Sequence, residues 1–347
     1  MMRTKIKLAI GLLLFAAPAF AAGADTFPKT TAFKVVPLVS NQTGKAPVID
    51  PNLVDAWGLS QGPGGDPVWV SDNGTGLSTV YAQGTGKNEG LVVTIPDGDP
   101  TGTVYVPPGI GFSISENGKS GDAQFLFDSE AGVISGWTSS VDAANAVVAY
   151  DGSGQGSVYK GLALDPTSKL LFAADFANNQ VQIFDNQFDL MGSFTDTTLP
   201  KHYAPFNVAI SANHDVYVTF AKQDKSRHDE VDGPGLGFVD VFTETGTLLQ
   251  QLVLQGPLNA PWGITIAPSN FGTFANALLV GNFGDGWINA FDPTTGQYLG
   301  ALSDKKGNPL AIDGLWALDP VPNGDITFSA GPHKEKDGLL GLITVGK

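Results

Sequence analysis

The chain has 347 residues and not one cysteine. Disulfides, thiolate nucleophiles and cysteine-held metals are therefore excluded. Histidine is nearly as scarce, with four in the chain, so a transition-metal centre would require His202, His228 or His333 to converge. Cations are few: 19 Lys and Arg stand against 34 Asp and Glu, a net charge of −15. A phosphate backbone needs a basic footprint, so nucleic acid is excluded as a partner and an acidic membrane surface is disfavoured. His-Glu-x-x-His and the phosphate-cradling P-loop are both missing. Asp97-Gly98-Asp99-Pro100-Thr101-Gly102 opens like an EF-hand loop, but its twelfth position is Pro108 where a bidentate Glu is required, so it reads as a turn.

Long apolar runs are missing too, except at the N-terminus. There Arg3, Lys5 and Lys7 precede an apolar run from Leu8 to Ala17, and Ala19-Phe20-Ala21 follows. This is the pattern of a secretory signal peptide over 1–21, cut after Ala21. Its ~10 apolar residues fall short of the ~20 that span a bilayer. Loss of those three cations takes the net charge from −15 to −18. The expected mature chain, 22–347, is a single domain with no membrane span, periplasmic or extracellular.

What is present is a repeat. A short phrase recurs as Trp57-Gly58-Leu59-Ser60, Lys160-Gly161-Leu162-Ala163, Phe206-Asn207-Val208-Ala209, Trp262-Gly263-Ile264-Thr265 and Asp313-Gly314-Leu315-Trp316. The steps from Gly58 are 103, 46, 56 and 51 residues. The first is a double step and predicts a weaker copy near position 110, where Gly111-Phe112-Ser113-Ile114 stands. Gly and Pro make up about a fifth of the chain, and each unit reads as four short strands between turns. Helical periodicity is absent. The expected fold is all-β: a six-bladed propeller of four-stranded antiparallel blades. The last unit is one strand short, and an orphan strand at about 33–39 precedes the first. Pairing them closes the ring and removes the exposed sheet edges.

In such a meander, the loops after second strands share one face of the disc with the segments leading into inner strands. That face carries most of the unusual sequence. Lys222 to Asp232 holds seven charged residues and a histidine in a chain only 15% charged. Lys222, Asp224, Arg227, His228 and Asp229 are therefore candidate ligand-binding residues. Gly331 to Asp337 is a similar loop in the last unit. Trp57 and Trp262 recur beside inner strands and would stack on sugars if exposed, or fill blade interfaces if buried. Asp55, Asn207 and Asp313 stand at inner-strand starts, where converging oxygens would suit Ca²⁺, a hard cation wanting six to eight oxygen ligands.

Several stretches, Asp50 to Leu59, Tyr203 to Asn207, Ala221 to Asp224 with His228-Asp229, Pro261 to Gly263, Gly281 to Gly286 and Ile312 to Trp316, resemble an uncharacterised family of secreted bacterial proteins. Some members carry a PEP-CTERM sorting tail. The resemblance implies a six-bladed propeller related to NHL-repeat and SMP-30/gluconolactonase-like propellers, and no established activity. This chain ends Gly341 to Lys347 without the sorting tail, and it lacks the Glu-Gly-Pro opening of gluconolactonase-like members. Beside the calcium lactonases of that superfamily, Asp55, Asn207 and Asp313 resemble metal ligands.

Three functions fit these observations. The first is a secreted or periplasmic binding or interaction module, for a protein, carbohydrate or small molecule, with its ligand surface on the loop-rich channel face. The second is a Ca²⁺-dependent hydrolase of lactones or esters, in which a metal at the central channel polarises a carbonyl. The third is a passive envelope or matrix component.

Overall fold

The computed structural model describes residues 31–346, and the expected signal peptide at 1–21 lies outside them. Alternating apolar strands assemble into six sheets around an axis. Blade one is Ala56–Gln61, Val68–Asp72, Leu77–Tyr81 and Asn88–Thr94, and blade two is Pro100–Tyr105, Phe125–Ser129, Val133–Trp137 and Val147–Asp151. Blade three is Tyr159–Asp165, Leu170–Asp175, Gln180–Phe184 and Leu190–Phe194; blade four is Tyr203–Ile210, Val216–Gln223, Phe238–Phe242 and Leu248–Leu254. Blade five is Pro261–Ile266, Leu278–Asn282, Ile288–Phe291 and Tyr298–Ala301. Blade six takes Leu315–Pro320, Ile326–Ala330 and Leu339–Val345 from the C-terminus and Phe33–Ser40 from the N-terminus. The ring therefore closes by antiparallel pairing from Phe33 opposite Val345 to Ser40 opposite Leu339, as the strand count required. Each inner strand touches the next, and the sixth touches the first.

One local device repeats around the axis. The residue leading into the inner strand adopts left-handed φ in five blades: Asp55 (48°), Asp99 (47°), His202 (70°), Ala260 (46°) and Gly314 (65°). Its carbonyl accepts the N–H of Asn73, Glu130, Gln223, Phe283 or Gly331 at the end of the second strand. Val158 accepts from Phe176 in blade three without the unusual φ. A left-handed L-residue costs about 1 kcal/mol, and the bend at Asp55 places its carboxylate at the channel mouth.

This repeat corrects one expectation. Gly111 to Ile114 does not open an inner strand. Ser113–Glu116 pairs with Lys119–Asp122 in a two-stranded hairpin inserted between the first and second strands of blade two. The inner strand is Pro100–Tyr105, so Asp99-Pro100-Thr101-Gly102 is the missing copy of the phrase and the count of six stands. Gly102 is there because strands meet closely: a Cβ on it would lie 2.5 Å from the Leu162 amide nitrogen and 2.8 Å from Asp128 Oδ1.

The aromatic residues of the phrase lie near the axis. Trp57 and Trp316 stack with centroids 3.6 Å apart, Trp262 meets both edge-on at 6.1 and 5.9 Å, and Phe283 stacks on Trp316 at 4.2 Å. Phe206 and Phe176 complete the cluster. Trp57, Trp262 and Trp316 are buried, so the tryptophans serve as packing and offer no open face for a sugar. Two cavities lie along the axis. One, of 280 Å³, is walled by inner strands; the other, of 380 Å³, is walled by loops and contains the charged groups.

Candidate functional site

The 380 Å³ cavity lies on the face of the lead-in segments and the loops after second strands. Asn73 and Glu130 occupy equivalent positions after the second strands of blades one and two, and Phe283 does so in blade five. Lys160 comes from the inner strand of blade three. Asp229, Glu230 and Asp232 arrive on the charged loop of blade four, and Glu335 on the last loop of blade six. The two loops singled out in the sequence thus meet over the channel. The first is tied down by Asn259, whose Oδ1 accepts the Gly233 N–H at 2.6 Å and whose Nδ2 donates to Asp285 at 3.3 Å. The second is anchored where His333 N–H donates to Asp313 at 2.8 Å and Asp337 pairs with the His333 ring at 2.7 Å.

Six carboxylates, of Asp55, Glu130, Asp229, Glu230, Asp232 and Glu335, line this cavity against a single ammonium, that of Lys160. Lys160 is 1% exposed, its Nζ donates to Glu130, and Asp229 Oδ1 lies 3.6 Å away. The same ammonium sits 5.1 Å from the Trp57 ring centre and 6.0 Å from that of Phe176, within cation–π range. Burial alone would lower its pKa, but the charges of Glu130, Glu230 and Asp229 reverse that and hold it above the ordinary lysine value. One ammonium does not neutralise the site. Burial pushes Glu230 up to about 7 despite Lys160. Burial also raises Glu335, with Glu130 and Asp229 adding repulsion. Asp55 is raised well above its usual range by burial and Glu335, although Trp57 and Trp316 donate their indole N–H groups to it at 2.7 and 2.9 Å. Uncompensated negative charge of this kind favours a second cation.

The structure distributes the sequence-derived residues over several places. Asp229 reaches the channel mouth, with His228 Nδ1 2.7 Å from it and 3.8 Å from Glu130. Lys222, Asp224 and Arg227 line a separate 370 Å³ cavity with His202 and Val231. Asp224 caps its own loop, accepting from Ser226 Oγ at 2.5 Å and from the His228 N–H at 3.1 Å. Trp57 is part of the floor of the charged cavity, whereas Trp262 lines the cavity at the other end of the axis. The three oxygen-bearing residues Asp55, Asn207 and Asp313 do not share a cavity. Both Asp55 oxygens are taken by indoles; Asn207 donates to the Trp262 carbonyl at 2.9 Å and accepts the Val208 N–H at 2.8 Å beside the opposite cavity; Asp313 faces the His333 loop. Glu130 is not legible in the sequence, because the expected copy of the phrase at Gly111 lies nine residues downstream of the true one at Gly102.

Fold and site together define a closed six-bladed β-propeller with an acid-lined channel mouth. No family profile matches the chain. It belongs to the same family as two proteins of Acanthamoeba polyphaga mimivirus. It is 30% identical to uncharacterized protein R648 over 328 residues, covering 90% of this chain and 80% of that protein. It is 33% identical to uncharacterized protein L690 over 326 residues, covering 90% and 85%. A third, uncharacterized protein R640 of the same virus, is 29% identical over 211 residues, 59% of this chain and 39% of that protein. These relatives are viral, where the sequence resemblance pointed to bacteria. Among solved structures, the WD40 β-propeller domain of Doa1 superposes with a TM-score of 0.50 over 82% of this chain and 78% of that one, at 9% identity. That likeness concerns the fold alone. No helix among the described residues is long and apolar enough to cross a membrane.

Proposed function

We propose that the protein is a secreted or periplasmic binding module, akin to NHL-repeat propellers, whose ligand surface is the acid-lined channel mouth. Its occupant is an organic cation, an ammonium or guanidinium group such as a basic side chain of a partner protein. The observation that carries this reading is the excess of six carboxylates over one ammonium in a single loop-walled cavity. Phe283, only half-buried in the wall, offers an aromatic surface to such a group. Propellers expose a rigid disc face on which loops converge, and exposed Val231 and Trp287 both lie in segments that follow second strands on this face. Ca²⁺ is the competing occupant, because carboxylates also suit it.

Calorimetric titration of the full mature protein with spermidine, with a lysine-rich peptide and with CaCl₂ separates these readings. Spermidine or the peptide is expected to bind, to weaken at high salt, and to lose affinity in the Glu230→Gln/Glu335→Gln double variant. Saturable binding of Ca²⁺ alone would move the assignment to a metal site, and heat from none of the three would remove it.

A further inference from the structure

The opposite face of the disc holds a different set of groups. Three turns from two neighbouring blades meet there. Asp165 ends the inner strand of blade three, His214 lies in the turn between the first and second strands of blade four, and Glu244 lies in the turn between its third and fourth strands. One ligand atom from each comes within 4.8 Å of the other two. Asp165 is almost fully buried and its Oδ2 lies 2.5 Å from His214 Nδ1. Its other oxygen is fixed by the backbone N–H groups of Thr167 at 2.7 Å and Ser168 at 3.4 Å. Glu244 is oriented by Ser168 Oγ, which donates to Oε1 at 2.5 Å. Two of the three ligands are thus held by outer partners, as ligating carboxylates commonly are.

We propose that Asp165, His214 and Glu244 form a site for one divalent transition-metal ion, distinct from the channel mouth. One imidazole nitrogen and two carboxylate oxygens make a three-ligand set that Zn²⁺ accepts, with water in the fourth position. A second group, Glu130, His228 and Asp229, meets the same distance criterion, but there the Lys160 ammonium already stands against Glu130 and Asp229. No Lys or Arg pairs with Asp165 or Glu244 among the described residues, so the His214 ring is the partner facing the Asp165 carboxylate. Two ligands of one tetrahedral Zn²⁺ lie roughly 3.3 Å apart given bonds of about 2.0 Å, so His214 and Asp165 must separate by somewhat under 1 Å. His214 is half-exposed in a surface turn, where such a shift meets little packing.

The test is Zn²⁺ titration of chelator-stripped, full-length mature protein, read by calorimetry and by melting temperature. One equivalent is expected to bind and to raise the melting temperature by mass action. His214→Ala and Glu244→Gln should each weaken Zn²⁺ binding by about tenfold or more, while His228→Ala leaves it unchanged. Glu244→Gln alters an outer turn and keeps the result readable if His214→Ala folds poorly. No uptake by the parent protein, uptake that survives both variants, or uptake lost only in His228→Ala would each overturn the proposal and leave an inter-blade ion pair only.

Discussion

Asp240→Asn tests the energetics of this ring most directly. Asp240 sits in the third strand of blade four, fully buried, and neither carboxyl oxygen has a hydrogen-bond donor among the described residues. The charged group beside it is Asp196, which follows blade three and is itself held by Thr198 and Gln251. Burial, then the Asp196 charge, pushes Asp240 from 3.8 up to about 8. At neutral pH the folded protein therefore keeps a proton on Asp240 that the unfolded chain releases. A folded pKa raised in this way makes stability greatest below the unfolded value, near 4, and lost as pH rises through the folded value, near 8. At about 1.4 kcal/mol per unit, the full loss is roughly 6 kcal/mol. Asn keeps the shape and offers Asp196 an amide donor without a charge to bury.

The expected result is a difference that grows with pH. Urea unfolding followed by tryptophan fluorescence should give the variant and the parent similar stabilities near pH 4, and the variant should gain progressively toward pH 8 and then level off. Other raised carboxyls, Asp128 and Asp319 at about 7, contribute equally to both proteins and cancel in the difference. Parallel pH profiles, or a variant less stable at every pH, would refute the reasoning.

Three further outcomes follow from the same geometry. Gly102→Ala places a Cβ 2.5 Å from the Leu162 backbone, and overpacking of this kind costs about 1–3 kcal/mol, to be read as a lower melting temperature with blade three affected in hydrogen exchange. Lys160→Met leaves the largely covered Glu130 without its counter-ion; removing one partner of such a pair costs up to about 3–5 kcal/mol, and added spermidine should restore part of the lost melting temperature. Cation affinity at the channel mouth should rise between pH 6 and pH 8, because Glu230 ionises near 7 with Asp55, Glu335 and Lys160 facing the same space; an affinity flat across that range would place the cation elsewhere.

Much of the fold was legible because blade closure is written twice in the chain: once as the fifty-residue spacing of Gly58, Gly161, Gly263 and Gly314, and once as the unmatched strand at Phe33. Blade two was not legible for a specific reason. Its inner-strand phrase carries Thr101 where the others carry Trp57, Lys160, Trp262 or Trp316, and the hairpin from Ser113 to Asp122 pushes its second strand downstream. Without the aromatic residue, Gly111-Phe112 looked the better copy. Counting one blade length from Gly58 to Gly102, and noticing that Asp99 stands where Asp55 does, would have restored the register.

That slip determined what could be seen of the site. With blade two shifted, Glu130 could not be placed beside Asn73 and Phe176, although all three follow second strands and turn toward the axis. Glu130 is the residue whose carboxylate meets Lys160, so the charged loop of blade four was visible while the group it closes over was not. In the sequence Asp55 and Asp313 look like free ligands, because their position on the axis is readable and their donors are not. The indole N–H groups that occupy Asp55 come from the phrase itself, at Trp57 and Trp316. Aromatic residues that looked like a place to bind sugar instead consume the deepest carboxylate, and the negative charge left over belongs to the loops above them.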